Sequence, residues 1–163
     1  MTQIITPQEL KDSCLIDINV LDSNCLPGIK HSQELNLRKL IGESLYNAII
    51  TKIDSNTLTG KYKTLVDDYI KDYLYLDAAA EIQPLIASKI RNAGVVVTNE
   101  ENFKSAEDDS IDRKVKYYKT RADAYGLLVI NYIRKNSADF PEYHTEDCNE
   151  IKPQDSSFRL NIF

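Results

Sequence analysis

The sequence predicts an all-α protein, a bundle of two long and several short helices with an extended C-terminal tail. Two stretches carry apolar residues at alternating steps of three and four, which is the spacing of one helix face. The 163 residues include only five glycines and five prolines, most of them outside these stretches. Hydrophobic residues make up 42% and charged residues 28%, as in globular domains. We therefore expect a helical domain over residues 1–136 and an acidic arm over 137–163.

A capping box predicts where the first helix begins. Thr6 precedes Pro7, and Glu9 stands three residues after Thr6, so side chains can satisfy backbone N–H groups at the helix start. Residues 17–24 have the aspartate, asparagine and serine content of a connector. We expect the second helix to open at Pro27.

A helix–glycine–helix corner is predicted around Gly42. Apolar residues recur at helical spacing before this glycine and resume directly after it, and no other residue is available to turn the chain. Glycine tolerates the positive φ that such a turn needs, so we expect Gly42 in a left-handed backbone conformation. The residues that define the corner are Gln33, Leu40, Gly42, Leu45 and Tyr46.

The first long helix carries an apolar stripe over residues 62–80. Pro84 removes one backbone hydrogen bond, so we expect a kink there and a short continuation to Asn92. Gly94 and the valines after it form the one β-like run, which predicts a short β-like loop over about 94–104.

The second long helix is predicted over about residues 107–136, and Leu128 and Ile133 widen its apolar stripe near the end. A rod of about 45 Å is longer than a compact domain of this size requires, so we expect it to lie against a second partner. Three tyrosines cannot all face one small core, so we expect some of them to face another subunit: Tyr69, Tyr73 and Tyr75. The seam toward the neighbouring helix is predicted to consist of Ile111, Val115, Tyr118, Ala122, Tyr125 and Val129.

The tail is acidic and its last six residues are mostly apolar. Six acidic and two basic residues follow from Ser137 onward, in a chain of formal net charge −5. An extended segment over 158–163 would place alternate apolar side chains on one face. We expect this segment to dock on an adjacent subunit, with residues 95–97 as a candidate edge. Its apolar members are Phe158, Leu160, Ile162 and Phe163.

No catalytic, cofactor or metal site is predicted, and we expect a protein that is not an enzyme. The widely spaced Cys14, Cys25 and Cys148 are interpreted as free thiols in a reducing cytoplasm. His144 and Cys148 stand four residues apart, but structural zinc sites take four ligands, so an exposed polar tail is favoured. His31 has no third group to orient it as a triad base. No apolar run reaches the roughly 18 residues of a membrane helix.

The densest basic cluster lies in the second long helix, over residues 113–121. Bases with Tyr117 among them are typical of a nucleic-acid contact. Acidic residues flank the same helix, and ion pairs three or four residues apart explain the mixture without a ligand. The solvated face is the favoured interpretation. The candidate DNA-facing residues are Arg113, Lys116 and Lys119.

Residues 29–46 carry the pattern I-x-x-x-Q-x-x-x-L-x-x-x-I-G, followed by Leu45-Tyr46. This segment resembles the early part of the head-to-tail adaptor (connector or head-completion) proteins of tailed bacteriophages, and Gln33 and Gly42 fit its spacing. The order of elements along the chain is also similar to that family. Residues 140–143 are similar to adaptor-like ring proteins of crAss-like phages, which makes Tyr143 a candidate contact residue.

The resemblance implies a structural protein of the virion neck that acts in assembly and DNA ejection. Such proteins form a ring, commonly of twelve copies, which is assembled in the host cytoplasm. The expected partners are copies of the chain itself, the portal protein and a further tail or neck protein, while packaged DNA passes through the channel and no membrane is bound. Tyr143 and the apolar residues of 158–163 become candidates for contact with a subunit or the portal.

A function of another class stands beside this one. A small helical DNA-binding or regulatory protein could use the basic face Arg113–Arg121. That hypothesis predicts salt-sensitive binding of DNA by an isolated monomer or dimer, because neutralised phosphates release counterions. Particle mass in solution separates the two hypotheses.

Overall fold

A computed structural model describes residues 2–14, 16, 18–92 and 101–144, with the backbone alone at 87–92, 101–109 and 144. The predicted all-α class is confirmed, and no strand occurs within these ranges. Two π-helical stretches, Ser32–Leu37 and Val66–Ile70, join consecutive α-helices, and two 3-10 turns, Ser137–Asp139 and Pro141–His144, close the described chain. The α-helices are α1 (Pro7–Ser13), α2 (Asp22–His31), α3 (Arg38–Ile41), α4 (Glu43–Asp54), α5 (Gly60–Leu65), α6 (Lys71–Asn92) and α7 (Glu101–Lys135).

The helix starts follow the sequence at α1 and depart from it at α2. Thr6 and Glu9 form the predicted capping box. Helix α2 begins at Asp22, five residues before the expected start, and contains Pro27. The proline removes one hydrogen bond near the helix start. Burial of Cys25 and the 2.6 Å ion pair between Lys11 and Asp22 favour the longer helix.

The corner at Gly42 is confirmed. Helix α2 continues through its π-helical stretch into α3, which ends at Ile41, and α4 begins at Glu43. Gly42 has a φ of 84° and a ψ of 152°. The positive φ matches the expectation, whereas the extended ψ lies outside the left-handed helical region. Residues other than glycine rarely adopt this combination.

The loop predicted over 94–104 is wrong in its second half, because residues 101–104 belong to α7. These four residues include no glycine or proline, so nothing in their chemistry stops the helix from extending past the expected start at 107. Residues 93–100, with the candidate edge at 95–97, lie outside the described residues. Helix α6 runs through Pro84 and ends at Asn92 as predicted.

Helix α6 lies at the centre of the fold, where it packs against α2 on one side and against α7 on the other. Gly28 marks the contact with α2, because an added Cβ would stand 2.2 Å from Ile82 Cγ2 and 3.1 Å from the backbone oxygen of Ala78. Fully buried Ala122 and Val129 confirm the seam predicted on α7. Tyr118 and Tyr125 are half-buried against the same core. Ile111 and Val115 are half-buried.

Three tyrosines, some of which were expected to face another subunit, contact the core of the chain, and Tyr69 and Tyr75 remain partly exposed. Tyr69 stacks on Tyr132 with ring centroids 4.4 Å apart, and Tyr73 is buried. Tyr75 is half-buried against the core. The π-helical stretch and the long α7 bring these rings together across the fold, which spacing along one helix does not reveal.

The helical body extends past residue 136, where the sequence placed the start of the arm. Phe140 is fully buried, with its ring centroid 5.0 Å from that of Tyr62 and 6.1 Å from that of Tyr132. Burying an aromatic ring outweighs the polar character of the neighbouring residues. The predicted domain boundary therefore falls inside the packed part. Tyr143 is half-buried beside this cluster.

Replacing Gly42 with valine should lower the free energy of unfolding by about 1–3 kcal/mol, because a β-branched residue is strained at positive φ. Urea denaturation monitored by circular dichroism measures the change. Gly126→Ala is the control, since that helical glycine has no positive φ and an added Cβ meets only ordinary contacts. Equal stability of Gly42→Val and the wild type would contradict the corner.

Replacing Ala122 with glutamate should prevent folding or cost several kcal/mol, because the carboxylate would be buried in the α6–α7 seam without a partner. Ala124 is exposed on the same helix, so Ala124→Glu supplies a matched control with the same added charge. Thermal melts and soluble yield compare the two variants. A native-like melt for Ala122→Glu would show that the seam faces solvent.

Candidate functional site

A buried polar cluster ties the corner to the N-terminal segment. The backbone N–H of Ile4 donates to Gln33 Oε1 at 2.9 Å. Gln33 Nε2 donates to the Thr2 backbone oxygen at 2.8 Å and to Tyr46 Oη at 3.1 Å. The Tyr46 hydroxyl donates to Glu34 Oε1 at 2.6 Å. Gln33 and Tyr46, two residues on which the resemblance depends, are therefore bonded to each other.

Arg38 covers this cluster from outside. Its Nη2 donates to Glu34 Oε2 at 2.7 Å, and its guanidinium carbon lies 4.6 Å from the ring centroid of Tyr46. Burial and the hydrogen bond to Glu34 raise the pKa of the Tyr46 hydroxyl. The hydroxyl thus remains a donor, and the cluster holds the corner without any group placed for chemistry.

The side of α7 opposite α6 is a candidate surface, and we call it the outer face of α7. Residues 110–135 carry seven basic and two acidic residues in a chain of net charge −5. Residues 101–109 of the same helix add four acidic residues and one basic residue, so the excess positive charge that would attract anionic groups is confined to residues 110–135. The exposed residues of this stretch are Asp112, Arg113, Lys114, Lys116, Tyr117, Thr120, Arg121, Asp123, Ala124, Leu127, Leu128, Asn131, Arg134 and Lys135.

Large apolar and aromatic side chains lie among these bases. Tyr117 is 50% exposed, Leu127 62% and Leu128 48%. The Arg121 guanidinium carbon lies 3.7 Å from the ring centroid of Tyr117, which is a cation–π contact. Exposed leucines beside an aromatic–arginine pair have the composition of a protein interface.

Sequence analysis missed the exposure of Leu127 and placed Leu128 on the buried stripe. Helix α7 packs on α6 through Ala122, Val129 and Ile133, and Leu128 lies a helical step to the side of that line. Two consecutive leucines cannot both face one seam, because neighbouring residues point about 100° apart on a helix. The two consecutive leucines were therefore the sequence feature that could have predicted an exposed leucine on α7.

Lys119 differs from the other two candidate DNA-facing residues. Its ammonium donates to Asp77 Oδ1 at 2.9 Å and to Glu81 Oε1 at 3.2 Å. Asp77 is 2% exposed and also accepts from Asn36 Nδ2 at 2.6 Å. Burial disfavours the charged ammonium, but the hydrogen bonds and charges of Asp77 and Glu81 outweigh it and raise the pKa of Lys119.

Lys119 is thus engaged between α6 and α7, whereas Arg113 and Lys116 are exposed on the outer face. Tyr143 lies apart from them, in the 3-10 turn near α4. Phe158, Leu160, Ile162 and Phe163 lie outside the described residues. The structure therefore brings Arg113 and Lys116 to one surface and places Tyr143 in another part of the fold.

The described residues contain neither a cluster suited to a metal ion nor a helix suited to crossing a membrane. Among the described side chains, no three histidine, cysteine or carboxylate groups lie close enough to share a metal ion. Within the part of the chain that the structure describes, no helix combines the length and the apolar character needed to cross a bilayer.

Comparison with protein families places the chain in one of them. The model of the DUF6712 family, described as a family of unknown function, matches residues 37–153. The match covers more than half of the chain, which therefore belongs to this family. Searches of the curated proteins and of the solved structures return no match.

Replacing Lys119 with methionine should lower the free energy of unfolding by about 1–2 kcal/mol, because the buried Asp77 carboxylate would lose its main counter-charge. Partial exposure of the lysine limits the effect. Lys116→Met, an exposed position on the same helix, should change stability by less than about 0.5 kcal/mol. Equal effects of the two variants on urea denaturation would contradict a structural role for Lys119.

Proposed function

We propose that the chain is a structural protein of a phage virion, a ring subunit of the neck that joins head to tail and continues the DNA channel. Its partners would be copies of itself, the portal protein and a further neck or tail protein. Function would reside in surfaces and would involve no catalysis. The resemblance over residues 29–46 motivates this proposal, and the outer face of α7 is the observation that carries it.

Helix α7 has 35 residues and is about 50 Å long, whereas a compact chain of this size has a radius of gyration of about 15 Å. One side of the helix is used by α6, and the other exposes Tyr117, Leu127 and Leu128 in one stretch. A ring places each subunit between two neighbours, so an exposed helix face is covered by the next copy. Self-association is therefore the simplest way to bury these side chains.

The bases of the outer face suit the same assembly. Arg113 and Lys116 lie toward the N-terminal half of the described side chains of α7, whereas Leu127 and Leu128 lie nearer its end. An arrangement with Leu127 at a neighbour and the bases toward the channel would let packaged DNA pass a positively charged wall. Contacts to phosphate alone carry no sequence preference, which suits a channel.

The buried polar side chains support a function without catalysis. Gln33 joins the corner to the N-terminal segment, and Asp77 joins α2–α3 and α7 to α6 through its hydrogen bonds. Lys11 pairs with Asp22 at the start of α2. Each of these groups is engaged in holding elements together.

A second candidate is a DNA-binding or regulatory protein that acts as a monomer or dimer through Arg113–Arg121. The exposed Arg121–Tyr117 pair favours it, because a cation on an aromatic ring can also contact bases and phosphate. This candidate requires tight, salt-sensitive DNA binding by a small particle. A ring subunit requires a large particle and needs no such affinity as a free chain.

Replacing Leu127 with aspartate should abolish self-association, because the change places a charge in the surface that a neighbour would cover. Light scattering after size exclusion should give a particle of many subunits for the wild type and a monomer for this variant, with unchanged circular dichroism.

Leu35→Asp is the matched control, since Leu35 is 63% exposed on a different helical stretch. It should assemble like the wild type. Assembly of Leu127→Asp at wild-type strength would contradict the proposed interface. A monomeric wild type that binds duplex DNA in low salt and releases it in high salt would favour the second candidate.

A further inference from the structure

A groove lies between the end of α7 and the segment formed by α5 and the π-helical stretch Val66–Ile70. It has a volume of about 310 Å³, at the lower end of the range for binding pockets. Tyr69 and Tyr132 line it as a stacked pair, and Leu128 contributes an exposed apolar side chain. Lys61 and Lys135 supply its charged groups, and none of the described residues that line it is acidic.

The groove combines an apolar lining with unmatched positive charge. The Tyr132 hydroxyl oxygen is buried and has no hydrogen-bond partner within the described chain. The Lys61 ammonium lies 5.9 Å from the ring centroid of Tyr132, so it is close to the aromatic pair without pairing to a carboxylate there. A ligand of matching chemistry would carry large apolar side chains and negative charge, with a polar group for the tyrosine.

We propose that this groove binds residues 158–163 of the same chain. The segment Phe-Arg-Leu-Asn-Ile-Phe supplies apolar side chains at alternate positions and polar groups between them. The stretch that leads to it, residues 145–157, contains four acidic residues and one basic residue, Lys152, and the segment itself carries Arg159. The leading stretch has a net charge of −3 that complements the two lysines, and its acidic residues are Glu146, Asp147, Glu150 and Asp155.

Connectivity favours the chain's own segment over a free partner. Phe140 contacts the ring of Tyr132, which lines the groove. The described chain ends four residues after Phe140. The fourteen residues from His144 to Phe158 can span up to about 50 Å, enough to reach the groove. A tethered segment has an effective concentration in the millimolar range, which allows a weak contact to be occupied.

The inference does not rest on the proposed ring, because the contact is formed within one chain. It differs from the docking edge at residues 95–97 that the sequence suggested. In the bound form the segment would cover Leu128 and leave Leu127 exposed. Leu128 would then contact the chain's own segment, and Leu127 would remain accessible to a neighbouring copy.

Site-specific photo-crosslinking tests the proposal in the full chain at dilute, monomeric concentration. Leu128→p-benzoylphenylalanine should crosslink to a peptide containing residues 158–163, and Asn131, which also lines the groove, offers a second position if the first variant folds poorly. Leu127→p-benzoylphenylalanine is the matched control, one residue away and outside the groove lining. We expect at least a tenfold lower yield of this product from the control.

The variant Lys61→Glu/Lys135→Glu should reduce the crosslink yield severalfold, because it reverses the charge that faces the acidic stretch. Crosslinks to another segment, crosslinks between chains, equal yields at positions 127 and 128, or a yield unaffected by the double charge reversal would each overturn the proposal. A crosslink within the monomer supports it whether or not the protein forms rings, so its failure and that of the ring are distinguishable.

Discussion

Close packing of α6 between α2 and α7 is the constraint on which the rest of the structure depends. A helix can approach two neighbours closely only where its contact residues are small, and α6 has three consecutive buried alanines, Ala78 to Ala80. Gly28 on α2 and Ala122 on α7 complete the contacts on either side. Once this core has formed, one side of α7 is packed against α6, and its basic and apolar outer face stays exposed.

A few buried polar groups give this packing its register. Asp77 binds Asn36 and Lys119, so one carboxylate connects three parts of the chain. Gln33 performs a similar task at the corner with Tyr46. Burying such a group without a hydrogen-bond partner costs free energy. A shift of the helices along one another would break these bonds and destabilise the fold. The bond with Asp77 explains why Lys119 contributes to holding the helices together, whereas nearby bases such as Lys116 are exposed to solvent.

Local patterns predicted local structure well. The capping box at Thr6, the corner at Gly42 and the seam through Ala122 each depend on residues within a few helical turns, where spacing determines which side chains meet. The start of α2 was missed because proline often opens a helix, whereas here tertiary burial of Cys25 extends it. The start of α7 was missed because residues 101–104 contain no glycine or proline that would have kept the helix from extending past 107.

The candidate surfaces were harder to predict, because they depend on which elements meet across the fold. The groove needs Tyr69 from one helix and Tyr132 from another, and no spacing along the chain reveals that pairing. The basic residues of α7 were identified from composition, yet only the contact with Asp77 separates Lys119 from Lys116. The family match supplies membership without a function, so the role of the outer face rests on its geometry and on the resemblance at the corner.

Electron microscopy of the purified full-length chain in negative stain examines the proposed assembly by its shape. If the outer face of α7 is covered by a neighbouring copy, class averages will show closed rings of uniform diameter with rotational symmetry. Particles of monomer size at every concentration, or open filaments without closure, would contradict a ring built on this face.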